Sequence, residues 1–210
     1  MNFLAHCGLA MNAADAWECD AISRRGLLAG AVIGDFVKGT IPTDWPIELQ
    51  AGVRLHRRVD ALSNHHPGIR QHCDEYPQHL RRYAPIFVDM MADHCLAKTW
   101  SHYYSNTPRV FSAQCYSAIA GYEAFLSPAG QRFFTYMQQV DLLANYHEWP
   151  NIARGLSSVL RRLAREDWTE EVEETSLALV SSSQRHFEGY YPELQAAWHK
   201  WNAFVALKGG

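Results

Sequence analysis

The chain has little of what marks several familiar protein classes. Its 210 residues include five cysteines, Cys7, Cys19, Cys73, Cys95 and Cys115, an odd and scattered set without a Cys-x-x-Cys pair. That spacing argues against a thiolate zinc knuckle or a dithiol redox site, and it fits the reduced thiols of a cytoplasmic protein. Positive charge is not in excess: 19 Lys and Arg stand against 22 Asp and Glu, a formal net charge of −3. No overall positive field would draw the chain onto nucleic acid. The longest apolar run, residues 26–37, is broken by glycines and carries Asp35, and it is too short to span a bilayer. The first residues lack the basic and apolar blocks of a secretory signal. A Walker-type glycine loop, a Gly-x-Ser-x-Gly elbow and a dinucleotide fingerprint are all missing. What remains is a globular protein expected in the cytoplasm, with no membrane or nucleic-acid role.

What is present points to helices. A hydrophobic fraction of 48%, with seven Trp, ten Tyr and nine Phe, supplies a substantial core. Apolar residues recur at helical spacing almost throughout, and strand-like alternation is hard to find. The spacing predicts helices over 2–13, 23–38, 44–62, 66–83, 85–105, 109–126, 129–143, 147–165, 169–190 and 192–207. Most of the nine prolines fall at proposed starts and joints, where a missing N–H matters least; Pro77 would end or kink the fourth helix. Ser127 before Pro128 and Thr107 before Pro108 read as N-caps, and Glu170 and Glu171 place acids in a first turn. The aromatic C-terminal stretch, with Tyr190, Tyr191, Trp198, Trp201 and Phe204, reads as a helix closing the bundle. His65, His66, His72 and His79 lie in a polar stretch and are expected on the surface. The expectation is one all-α domain over residues 1–210.

The chemistry concentrates in the first hundred residues. His56 and Asp60 are four apart, hence one turn apart on one helix face, a spacing that suits joint coordination of a cation. Asp89 and Asp93 share a face in the same way, with His94 beside them, inside the apolar surroundings of Phe87, Val88, Met90, Met91, Leu96 and Trp100. Acids in such a helix are expensive to bury unless paired or metal-bound. His6 lies among core-like neighbours, and Asp35 ends the glycine-broken run. Mixed imidazole and carboxylate donors suit manganese, iron or another hydrolytic divalent ion. Each site also has a plain reading: His56–Asp60 as a hydrogen-bonded pair, Asp89 and Asp93 paired with Arg57, Arg58, Arg81 or Arg82, His6 as a core histidine, Asp35 bridged to Lys38. Their joint concentration in neighbouring apolar helices favours function.

Four segments carry a resemblance: Asn2-Phe3-Leu4-Ala5-His6, Gly34-Asp35-Phe36-Val37-Lys38-Gly39, His56-Arg57-Arg58-Val59-Asp60, and Ala84-Pro85 followed by Asp89 and Asp93-His94. In this order they resemble the acyl carrier protein phosphodiesterase family. The resemblance implies an HD-phosphohydrolase-like helical fold and a divalent cation, Mn2+ before Mg2+ or Fe2+. It also implies holo-acyl carrier protein as the substrate, from which the 4'-phosphopantetheine arm is removed. The matched motifs make Asp35, His56, Asp60, Asp89, Asp93 and His94 the site candidates, with His6 nearby, and leave open which touch metal; in a metal-hydroxide mechanism Asp35, His56, Asp60 and Asp93 are expected to hold it. His6, Asp89 and His94 are expected at the catalytic centre, with His6 or His94 protonating the leaving oxygen. Lys38, Arg57 and Arg58 are expected on the phosphate, and the pairs Arg24-Arg25 and Arg81-Arg82 on the acidic carrier. The rival readings are an HD-like phosphohydrolase acting on a nucleotide and a helical protein that binds acyl carrier protein without cutting it.

Overall fold

A stretch of helix buried all the way round has no face to give to water, and three helices with such a stretch make the centre of the fold. In the computed structural model, which describes residues 1–208, they are α1 (Phe3–Ala16), α2 (Ala21–Ile33) and α5 (Ala84–Lys98). Burial is unbroken from Leu4 to Ala10, from Gly26 to Ile33 and from Met90 to Leu96. Around them stand α3 (Ile47–His65), α4 (Pro67–Asp74), α6 (Pro108–Ala120), α7 (Pro128–Gln139), α8 (Trp149–Arg162), α9 (Thr169–Ala178), α10 (Val180–Ala196) and α11 (Ala203–Lys208). These bury one side only: in α8 the buried residues are Ile152, Leu156, Val159 and Leu160, spaced as one face of a helix. Short 3-10 turns fill several joints, including Gly34–Phe36 directly after α2. No strand occurs among the described residues, so the architecture is all-α. One cluster of buried apolar side chains extends from Met1 to Ala203.

The contact between α2 and α3 is made by glycines. A Cβ on Gly30 would stand 2.4 Å from the Gly52 backbone, and one on Gly34 would stand 2.5 Å from the His56 ring. Gly26 approaches Glu48 in the same way. The partners advance together, 26 with 48, 30 with 52 and 34 with 56, so α2 and α3 run parallel. The chain between them must therefore return along the molecule, which places Asp35 at the level of His56.

Several expectations are met and several are corrected. Thr107 and Ser127 accept from Val110 N and Gly130 N as N-caps, and Glu170 and Glu171 occupy the first turn of α9. The fourth helix ends at Asp74, before Pro77, and the predicted 85–105 helix stops at Lys98. The predicted joint near Pro192 is absent. Pro192 lies inside α10, and the break comes at Leu179 instead. An interior proline forfeits one backbone bond; here buried Tyr190, Tyr191 and Leu194 hold the surrounding turns in place. His72 is buried, contrary to expectation, because it lies three residues after Ile69 on the inner face of α4. Its ring stacks on His186 at 5.2 Å, and its Nε2 lies 2.8 Å from Ser183 Oγ.

Two stability outcomes follow. Gly30→Ala should destabilise the protein by about 3 kcal/mol, since the added methyl meets backbone that cannot rotate away. A chemical denaturation midpoint unchanged from wild type would contradict the close approach. The second concerns His72, whose pKa is pushed down to about 4 by burial and by the neighbouring His186, against the pull of Glu75. The unfolded ring titrates near 6.5. Between those values the unfolded chain binds more protons, so stability falls as pH drops through that window. Thermal melts should show a larger loss of Tm for wild type than for His72→Gln between about pH 7 and about pH 4.5; equal losses would clear His72.

Candidate metal centre

His56 projects from α3 against the end of α2, where Gly34 leaves room for its ring. Its Nδ1 lies 2.9 Å from the Ala31 carbonyl oxygen. A carbonyl only accepts, so Nδ1 carries the proton, and in the neutral ring the Nε2 lone pair points outward. One turn on, Asp60 turns to the same side, with Oδ2 3.3 Å from that Nε2. Asp35 Oδ1, brought up by the 3-10 turn after α2, is 3.6 Å away. His6 enters from α1: its ring stacks on His56 at a centroid distance of 4.1 Å, and its Nε2 lies 3.0 Å from Asp60 Oδ1. Among the described residues, His6, His56 and Asp60 are the one group whose donor atoms all lie within 4.8 Å of one another.

The electrostatics suit a cation. The His6 pKa is pushed to about 3, first by burial and then by the adjoining His56, although the bond to Asp60 works the other way. His6 is thus uncharged at neutral pH; in the metal-free site its Nε2–H donates to Asp60 and its Nδ1 is buried without a partner, so holding a cation through Nε2 would move the ring proton to Nδ1. Asp60 is held below the usual carboxylate range: burial raises it, but the hydrogen bond from His6, with the nearby His56 and the Met1 amino group, outweighs that. Asp35 is held above that range by desolvation, opposed by His56 and reinforced by the Asp60 charge. Two imidazoles, one with its tautomer fixed by a backbone carbonyl, and one or two carboxylates form a donor set that fits a first-row divalent ion.

The remaining expected residues are distributed differently. Asp89 Oδ1 lies 2.6 Å from the Met1 amino group; burial raises its pKa, the Met1 charge opposes this, and Asp60 and Asp35 raise it further. Asp93, expected beside the cation, has both oxygens on backbone instead. Oδ2 accepts from Leu4 N at 2.8 Å and Oδ1 from Ala5 N at 2.9 Å, in the first turn of α1. Burial lifts the Asp93 pKa to about 7 against the pull of these two bonds. His94 is absent from the group: its Nδ1 donates to the Tyr146 carbonyl at 2.9 Å, and its ring meets Trp149 edge-on. The reason is helical geometry, since adjacent residues diverge by about 100°.

The arginines are also dispersed. Arg57 donates to the Val37 and Gly39 carbonyls at 3.2 and 2.7 Å, and Arg58 lies over the Trp201 ring. Arg81 donates to Tyr76 O, and Arg82 lies over Tyr83. Arg24 pairs with Asp15 at 2.6 Å and, with Arg25, borders a groove of about 930 Å³ between α1, α2 and α6. Among the described residues neither Asp89 nor Asp93 pairs with an arginine, and Asp35 and Lys38 form no bridge, although Lys38 is near enough for its charge to act on Asp35. Three backbone groups with no sequence signature proved important: the Ala31 carbonyl and the Leu4 and Ala5 amides. The bonds to Ala31 and Tyr146 have a spectroscopic consequence. Histidine 15N shifts recorded at a pH where the rings are neutral should show His56 and His94 as Nδ1–H tautomers; an Nε2–H signature for His56 would refute the orientation described.

Residues 1–194 match the family model described as acyl carrier protein phosphodiesterase. The acyl carrier protein phosphodiesterase of Pectobacterium atrosepticum is 31% identical over 196 residues, covering 93% of this chain and 90% of that protein. The protein of the same name from Shigella boydii is 29% identical over 204 residues, covering 95% of this chain and 99% of its own length. The corresponding values for an Escherichia coli protein of that name are the same, 29% over 204 residues. No solved structure matches. With the match running through all four motifs and on through α10 as far as Leu194, the chain belongs to the acyl carrier protein phosphodiesterase family.

Proposed function

We propose that this protein is a divalent-cation-dependent phosphodiesterase that removes the 4'-phosphopantetheine arm from holo-acyl carrier protein and leaves the apo protein with a free serine. The observation that carries the reading is convergence. His6, Asp35, His56 and Asp60 come from three separate sequence segments and meet at one half-open point, in a chain whose relatives bear that family name. An HD-type kinship of the fold belongs to the same proposal.

His6, His56 and Asp60 would hold the cation, with Asp35 beside them, and manganese is the expected ion. When bound, the cation supplies activation of water and charge neutralisation on the phosphodiester. The chain does the rest. Ala31 keeps the His56 lone pair aimed at the centre. Asp35 and Asp60, with side chains 48% and 42% exposed, form the mouth by which a phosphate reaches it. Arg57 fastens residues 37–39 to α3 and so shapes that mouth, while exposed Lys38 is placed to meet a nonbridging oxygen. Arg25, exposed on the rim of the groove beside α2, offers charge to an acidic carrier.

Intact-protein mass spectrometry of holo-acyl carrier protein, incubated with the protein with and without manganese, tests the reading. A manganese-dependent mass loss equal to the arm is expected. His56→Ala and Asp60→Ala should each reduce turnover by at least ~100-fold with helical content kept. An unchanged carrier mass from folded, manganese-loaded protein would sink the proposal. Complex formation without mass loss would then favour a binding protein, and release of phosphate from a nucleotide would favour the nucleotide phosphohydrolase.

A further inference from the structure

We infer that Asp93 is a positioning residue for the cation centre, acting on His6 through the first turn of α1. The inference rests on reading His6, His56 and Asp60 as that centre. Helix starts expose backbone N–H groups that need acceptors, and the residue just before the helix is the usual supplier. In α1 that residue is Asn2, and its side chain makes no cap bond. Asp93, 88 and 89 positions away in sequence, takes over: its two oxygens accept from Ala5 and Leu4, the two residues just before His6. The carboxylate is 0% exposed, so no water competes for it.

His6 needs such a hold more than His56 does. The His56 ring is oriented by a direct bond from its own Nδ1 to Ala31. The Nδ1 of His6 is buried and has no partner, so nothing grips the inner edge of this ring. Metal-binding histidines ordinarily have their second nitrogen fixed by a hydrogen bond. Here the fixing is displaced from the ring to the backbone that carries it. With the turn at Leu4 and Ala5 clamped to α5, the His6 side chain leaves α1 at an angle that stacks it on His56 and sets its Nε2 against Asp60. Both acceptor atoms of Asp93 are occupied in this task, and its role differs from that of a residue touching the cation.

Asp93→Asn is the test, because the amide keeps the shape but can accept only one of the two N–H groups. In the metal-free protein, the nuclear Overhauser contact between the His6 and His56 rings should be present in wild type and lost or strongly weakened in the variant, with amide exchange at Leu4 and Ala5 accelerated. Manganese affinity, followed by the EPR signal of the free ion, should fall by about 10–100-fold, the effect of removing an outer support from a metal site. Should the Asn variant fail to fold, Asp93→Ser, with one small acceptor, serves in the same measurements. A retained ring contact with unchanged manganese affinity would overturn the inference and leave Asp93 a purely structural cap. Abolished manganese binding with the ring contact and the Leu4 and Ala5 protection intact would overturn it in the other direction, making Asp93 a ligand. If wild type shows the ring contact and the variant loses it, yet neither binds manganese, the positioning stands and the cation reading fails.

Discussion

The close approach of α2 to α3 is the constraint on which the rest of the site depends. Gly30 and Gly52 let the two backbones touch, and nothing larger than hydrogen fits between them. That contact fixes the register between the helices, and register fixes chemistry. It sets the Ala31 carbonyl against His56 Nδ1, and it delivers Asp35, just beyond the end of α2, to the other edge of the same ring. A wider helix pair, separated by ordinary side chains at 8–10 Å, would hold the same residues out of reach of one another.

The buried polar groups around the centre follow a single rule: each is satisfied by main chain before it meets another side chain. His56 is bonded to Ala31, His94 to Tyr146, and Asp93 to Leu4 and Ala5. Unpaired polar groups in such surroundings are costly, so main-chain partners stabilise the core and also remove freedom from the side chains. The exceptions are informative. His6 has one nitrogen without a partner, and Asp35 and Asp60 keep oxygens open toward solvent. At this centre, two half-exposed carboxylates thus stand against two buried imidazoles.

A second set of histidines works as mortar. His66 meets Glu193, His186 meets Glu75 and His79 meets Glu171, tying α4 and the turn after it to α9 and α10. His72 lies inside this seam against Ser183. The chain thus uses one side chain for two purposes, and local surroundings separate them: carboxylate clustering at a half-open mouth in one case, single carboxylate partners along a helix seam in the other.

Much was legible in the sequence because it depends only on local spacing. The 3.6-residue repeat gave helices, Thr107 and Ser127 announced starts, and Pro77 announced an end. The i, i+4 relation of His56 and Asp60 fixed their common face. The same local logic failed where tertiary packing overrode it, at Pro192 inside α10 and at buried His72. Nor could spacing say which acids converge. Asp93 and Asp60 look alike in sequence, each one turn from another polar residue on its own helix, yet one faces backbone and the other faces His6 and His56. That distinction depends on how α1, α3 and α5 rotate about their axes when packed, because rotation decides which side of a helix meets which neighbour. The sequence alone determined which helices carry the chemistry; only the packed helices decided which of those side chains meet.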